Sequence, residues 1–175
     1  MTDISIKQFS EGCADALKRN QEVYKTLTCF MVTNLEPCVI LVKVLFVCSG
    51  NAFRSPVAEA LLKNQRPDVD VDSAGANPVV PDGIAGSARK YLSNVGAEQY
   101  LKPFPEGIDN KQLDKYDLIV AMKPRHKDII LGKCPGCADK IVVWNIEDPY
   151  FLPRGHTEKI FDQIREKVVR LANSL

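Results

Sequence analysis

The stretch Val44-Leu45-Phe46-Val47-Cys48-Ser49-Gly50-Asn51-Ala52-Phe53-Arg54-Ser55-Pro56 decides how the chain is read. Its opening apolar run, with no polar alternation, predicts a short strand buried on both faces, the habit of parallel sheets. Gly50-Asn51 breaks the strand. Ser55-Pro56 then supplies an N-cap and a proline at the first helical position, and Ala58, Leu61 and Leu62 form the inward face of a helix that stops before Pro67. Strand, turn and helix in that order begin a βα unit, and the rest of the chain repeats the pattern. Val69 and Val71 alternate with aspartates as a second strand, followed by a loop rich in Pro and Gly. Ile84, Ala88, Tyr91, Leu92 and Val95 recur at helical spacing and end at Gly96. Asp117 to Met122 predicts a third strand, Pro124 to Leu131 a helix closed by Gly132, and Ile141 to Trp144 a fourth strand. Ile160, Phe161, Ile164, Val168 and Leu171 make the apolar stripe of a last helix. Four strands and about five helices predict an α/β fold, a doubly wound four-stranded parallel sheet with helices on both faces.

Composition narrows the function classes. The chain has 175 residues, 45% hydrophobic and 26% charged, with a net charge of +1, so it has material for a real core and no electrostatic footprint for nucleic acid. Its longest apolar run, Val39 to Val47, is broken by Lys43 and falls far short of the roughly 20 residues that cross a bilayer, so no membrane partner is expected. The first residues carry Asp3, Lys7 and Glu11 without an apolar block behind a basic one, so no secretory signal is expected and the cytoplasm is the expected compartment. Six cysteines at irregular spacing are then expected as free thiols. Cys134-Pro135-Gly136-Cys137 is half of a zinc site without a second half, since His126 and His156 are isolated, so no zinc site is expected. Residues 1–40 precede the first strand and fit the repeat poorly. They read as an N-terminal extension of unknown role ahead of a domain spanning 41–175.

The chemistry concentrates where the first strand turns into the first helix. If residues 49–53 wrap, the backbone N–H groups of Ser49, Gly50, Asn51, Ala52 and Phe53 and the helix N-terminus converge as a nest for a tetrahedral oxyanion. Such a nest favours a thiolate at Cys48, with Arg54 and the Ser55 hydroxyl adding to the effect. Arg54, six residues on, can fork two phosphoryl oxygens and spread the charge of the transition state. Sulfur attack on phosphorus expels an oxyanion that needs a proton. Glu147-Asp148-Pro149-Tyr150 follows the fourth strand and so lies at the same carboxyl edge of the sheet. Asp148 is the expected general acid, and Tyr150 and Phe151 the expected aromatic wall against a planar leaving group. A turn aspartate after a strand is, by itself, more often a simple cap.

From about Lys43 to Leu175 the chain resembles the low-molecular-weight protein tyrosine phosphatase family. The likeness rests on Val47-Cys48-x-Gly50-Asn51-x-x-Arg54-Ser55-Pro56, on Asp72-Ser73-Ala74-Gly75 and on Asp148-Pro149-Tyr150, in the family's order. It implies a phosphatase I-like sheet, Cys48 as nucleophile, Arg54 as phosphate clamp, Ser55 as thiolate stabiliser, Asp148 as acid and base, a phosphorylated protein as substrate, and no cofactor. Three positions depart from the family pattern. Phe53 stands where many members have a second cysteine able to trap the oxidised nucleophile. Tyr100 to Gly107 reads YLKPFPEG where a histidine often supports the loop asparagine, so what holds Asn51 is open. Ala52 stands where tyrosine phosphatases tend to have a branched aliphatic and the fold's arginine phosphatases a threonine, which leaves phosphoarginine as an alternative substrate.

Thioredoxin-coupled arsenate reductases share this fold and loop but add two cysteines before the fourth strand. Cys134 and Cys137 fall in that region, though closer together than the reductases' pair. Thioredoxin is an expected partner only in that case. A phosphate-binding module without turnover would need neither the thiol at position 48 nor an acid at Asp148.

Overall fold

The computed structural model describes residues 41–77, 83–152 and 155–175. The extension assigned to residues 1–40 lies outside the described residues. Four strands, β1 (Lys43–Cys48), β2 (Asp70–Gly75), β3 (Leu118–Ala121) and β4 (Ile141–Val143), form one parallel sheet in the order β2-β1-β3-β4. Among the described residues they are joined by α1 (Arg54–Gln65), α2 (Gly86–Asn94) and α3 (Pro124–Lys133), and α4 (Thr157–Ala172) closes the chain. Several short 3-10 turns fill the connections.

The central strand explains its own sequence. Val44, Phe46 and Cys48 face a cluster built from Val57, Leu61 and Leu62 of α1, Leu92 of α2, and Phe161, Ile164 and Val168 of α4. Leu45 and Val47 point the other way, onto Ile108, Leu113, Ile119, Ile130 and Cys137. Helical cover on both faces leaves no solvent side to mark with polar residues, so the strand reads as one apolar block. The five apolar residues of the α4 stripe are all buried, and the Tyr91 and Phe161 rings lock α2 to α4 with centroids 5.1 Å apart.

Some boundaries differ from the sequence reading. Helix α1 begins at Arg54 with Phe53 as its cap residue, so Ser55 lies inside the first turn and is not the N-cap; its hydroxyl is engaged by the loop instead. Gly132 does not close α3, which runs on to Lys133 and ends at Cys134 ahead of Pro135. The proline has no N–H to donate and stops the helix where a single glycine did not. Gly96 does end its helical segment, with φ at +70°.

Cys134 and Cys137 are joined in a disulfide, contrary to the expectation of free thiols. Pro135-Gly136 turns tightly enough to leave their Cα atoms 5.4 Å apart, a separation that suits a bridge. The bridge lies before β4, at the amino edge of the sheet, whereas Cys48 ends β1 at the carboxyl edge. Ile141 aligns with Ile119, and Val47 with Ala121. By that register the start of β4 stands roughly 14 Å diagonally across the sheet from Cys48, at about 3.3 Å per residue and 4.8 Å per strand. Cys137 is also buried in the cluster on the opposite face. A thiol relay between Cys48 and this pair is therefore not assembled by the fold.

Candidate active site

In a parallel sheet every strand delivers its C-terminal residue to one edge, and the loops leaving that edge meet there. Here they are the loops after β1, β2, β3 and β4. The first wraps back over the end of its own strand, which needs one left-handed residue, supplied by Asn51 at φ +54°. It also needs room beside β2. A Cβ on Gly75 would stand 2.9 Å from the Gly50 carbonyl carbon and 3.1 Å from the Asn51 nitrogen, so the glycine permits the close approach of the two loops.

At the base of the loop Cys48 is only 2% exposed. Its Sγ is 3.0 Å from Ser55 Oγ and accepts from the Asn51 N–H at 3.3 Å. Arg54, 1% exposed, donates from Nη1 to the Ile146 carbonyl at 3.1 Å and from Nη2 to Ser49 Oγ at 3.1 Å, and pairs with the Asp148 carboxylate. Its Nε–H is buried with no hydrogen-bond partner among the described residues, a donor of the fork that suits an anion's oxygens. Asp148 serves two ends at once. Oδ1 accepts from the Tyr150 N–H at 3.3 Å, the plain turn cap, while Oδ2 faces Arg54.

A cavity of about 450 Å³ opens over these groups. Cys48, Ser49, Gly50, Ala52, Phe53, Arg54, Asp148 and Tyr150 line it, together with Asn77 and the Gly83–Gly86 stretch. The structure thus brings together Cys48, Arg54, Asp148 and Tyr150 from distant segments. Tyr150 is 73% exposed at the rim. Asn51 and Ser55 do not line the cavity; both are buried behind it and hold the loop.

What holds Asn51 is a polar network reaching two other loops. Its Nδ2 donates to Ser55 Oγ at 2.9 Å and to Ser73 Oγ at 2.8 Å, and its Oδ1 accepts from the Glu106 N–H at 2.8 Å. Ser73 Oγ donates to Glu59 Oε2 at 2.6 Å. Because the Asn51 amide nitrogen only donates, both serines receive from it, and Ser55 keeps its own hydrogen for Cys48 or the Ala74 carbonyl. Lys102 anchors the far end, 3.3 Å from Glu59, 3.0 Å from Asp72 and 2.8 Å from the Ser73 carbonyl. Lys111 and Tyr116 also converge on Asp72. Burial pushes the Asp72 carboxyl up, but the Lys111 hydrogen bond and the Lys102 charge outweigh it and hold it below the usual carboxylate range. Lys102→Met should lower the unfolding free energy by about 3 kcal/mol in a urea titration, because it strips a buried carboxylate of a partner.

Sequence reasoning missed a second group at the mouth. His126, buried at the start of α3, places Nε2 3.0 Å from Ser49 Oγ. Burial, reinforced by the charges of Arg54, Arg125 and Lys123, depresses its pKa to about 4, so the imidazole is neutral at physiological pH. Arg125 Nη2 donates to the same hydroxyl at 2.9 Å. Nothing local in Lys123-Pro124-Arg125-His126 marks them, since the contacts span more than seventy residues.

Residues 43–175 match the family described as low molecular weight phosphotyrosine protein phosphatase. A protein-arginine-phosphatase of Geobacillus stearothermophilus is 31% identical over 143 residues, covering 72% of this chain and 95% of its own. The low molecular weight protein-tyrosine-phosphatase Wzb of Escherichia coli (strain K12) is 31% identical over 144 residues, covering 75% and 94%. Among solved structures, a low molecular weight protein tyrosine phosphatase from T. tengcongensis superposes with a TM-score of 0.69 at 26% identity, covering 77% of this chain and 99% of that one.

Proposed function

Because the chain belongs to the low molecular weight phosphotyrosine protein phosphatase family, we propose that it hydrolyses phosphomonoesters on protein side chains, phosphotyrosine first, through a phosphate ester of Cys48. One observation carries the assignment of roles: the Cys48 sulfur lies at the base of a cavity whose wall holds both a buried guanidinium and a carboxylate. In the first step the Cys48 thiolate attacks phosphorus, the P–O bond to the side chain breaks, and Asp148 gives its proton to the departing oxygen. In the second, water attacks phosphocysteine, Asp148 takes back a proton, and sulfur leaves as thiolate with inorganic phosphate. Arg54 and the loop amides stabilise the equatorial oxygens, which carry most charge in the transition state. Phosphate oxygens compete with Asp148 for the same guanidinium, so substrate binding loosens the Arg54 pair and frees the carboxyl for proton transfer.

Phe53 and Tyr150 give the cavity aromatic walls, which suit an aryl leaving group. Ala52, a small side chain lining the same cavity, keeps phosphoarginine as a second reading. Arsenate reduction is not supported, since the disulfide pair and Cys48 lie on different edges and different faces of the sheet. Among the described residues no helix is long and apolar enough to cross a membrane.

The test is hydrolysis of p-nitrophenyl phosphate by the reduced protein in mildly acidic to neutral buffer with EDTA, combined with rapid acid quench and mass spectrometry of the peptide containing Cys48. Turnover with a transient phosphoryl adduct on that peptide is the expected result. A folded, reduced protein that releases no p-nitrophenol overturns the assignment.

A further inference from the structure

We propose that Arg125 reads an acidic residue flanking the phosphorylated side chain of a polypeptide substrate, a proposal that rests on the phosphatase reading above. Among the described residues, charge at the mouth is almost fully paired, with one exception. Arg54 pairs with Asp148, and Lys123 pairs with Glu147 while also donating to Asn145 Oδ1 at 3.0 Å. His126 is neutral and adds no charge. Arg125 has only a long contact to Asp148, 3.9 Å from Nη2 to Oδ2, and its side chain is 59% exposed. Its nearer contacts are to neutral atoms, Ser49 Oγ at 2.9 Å and His126 Nε2 at 3.5 Å. Even the first is shared. The Ser49 oxygen also accepts from Arg54 and lies 3.0 Å from His126 Nε2. A guanidinium with one long ion pair and a shared hydroxyl keeps donors for an incoming carboxylate.

The shape of the surface places that carboxylate. A groove of about 240 Å³ runs beside the active-site cavity, lined by Lys123, Pro124, Arg125, Glu147, Asp148 and Leu152. Asp148 lines both. A polypeptide whose phosphorylated side chain fills the cavity therefore leaves past Asp148 into the groove. Its next residues come within reach of Arg125, at about 3.3 Å per residue of extended chain. Phosphate in the loop draws Arg54 inward, so among the described residues Arg125 is the cation left at the rim for the flanking residue.

The experiment compares two phosphotyrosine peptides that differ only in glutamate against glutamine on both sides of the phosphorylated residue, with p-nitrophenyl phosphate as a third substrate. For wild type, kcat/KM should favour the glutamate peptide by about five-fold, mostly through KM, with the ratio shrinking as salt rises. Arg125→Gln should bring the ratio to about one and Arg125→Glu should invert it. Lys140→Ala, which removes one positive charge at the opposite edge of the sheet, should keep the wild-type ratio. A ratio that survives in Arg125→Gln overturns the proposal. So does a wild type that cleaves p-nitrophenyl phosphate and both peptides without preference, and in that case the phosphatase reading stands. A wild type that cleaves none of the three overturns that reading and this proposal together.

Discussion

Cys48→Ser should cut p-nitrophenyl phosphate turnover by about 10⁴-fold or more, the scale seen when a covalent nucleophile is removed. The Cys48 sulfur at the base of the loop has one backbone N–H and the Ser55 hydroxyl as its contacts. A serine oxygen there stays protonated at neutral pH and attacks phosphorus poorly. Arg54 and the loop amides are untouched by the change, so affinity for inorganic phosphate, measured by calorimetric titration, should stay within a few-fold of wild type. Loss of turnover with retained phosphate affinity separates a missing nucleophile from a damaged loop. Turnover at near wild-type rate would remove Cys48 from the mechanism altogether.

Asp148→Asn should slow hydrolysis by about 10²- to 10³-fold for esters of weakly acidic phenols and by much less for p-nitrophenyl phosphate, whose leaving oxygen hardly needs a proton. Asparagine keeps the oxygen that accepts from the Tyr150 N–H, so the turn should survive and the effect should be chemical. In a plot of rate against leaving-group acidity the variant's line should be steeper than that of wild type. Equal slowing of good and poor leaving groups would mean that Asp148 acts only by holding Arg54.

Much of this site was legible in the sequence because its parts are local. Cys48, Arg54 and Ser55 sit on one strand-loop-helix unit, and Asp148 follows a strand whose parallel direction puts its end beside that loop. What could not be read there depends on contacts between distant segments. The sequence offers Ser55 two jobs, helix cap and partner of sulfur, and only the wrapped loop, with Phe53 as the cap residue, shows that the first is not used and the second is. Lys102 lay in a stretch with no periodicity, and its meeting with Glu59 and Asp72 needs the loop after α2 to fold back across β2. Arg125 and His126 read as an ordinary helix start. The cysteine pair precedes a strand of the parallel sheet, which puts it at the amino edge, but irregular spacing along the chain does not reveal that Pro135-Gly136 brings the two thiols into a disulfide.

The network behind Asn51 also bears on how such a chain can drift. Glu59, Asp72, Lys102 and Lys111 pair with one another in a largely buried region, with Lys63 and Glu106 joining at its more open ends. A lineage that loses one of these charges keeps an unbalanced partner until a second change answers it. Among relatives, these four positions should therefore be exchanged as a set, with Asn51 and Ser73 constant while their support is rebuilt around them.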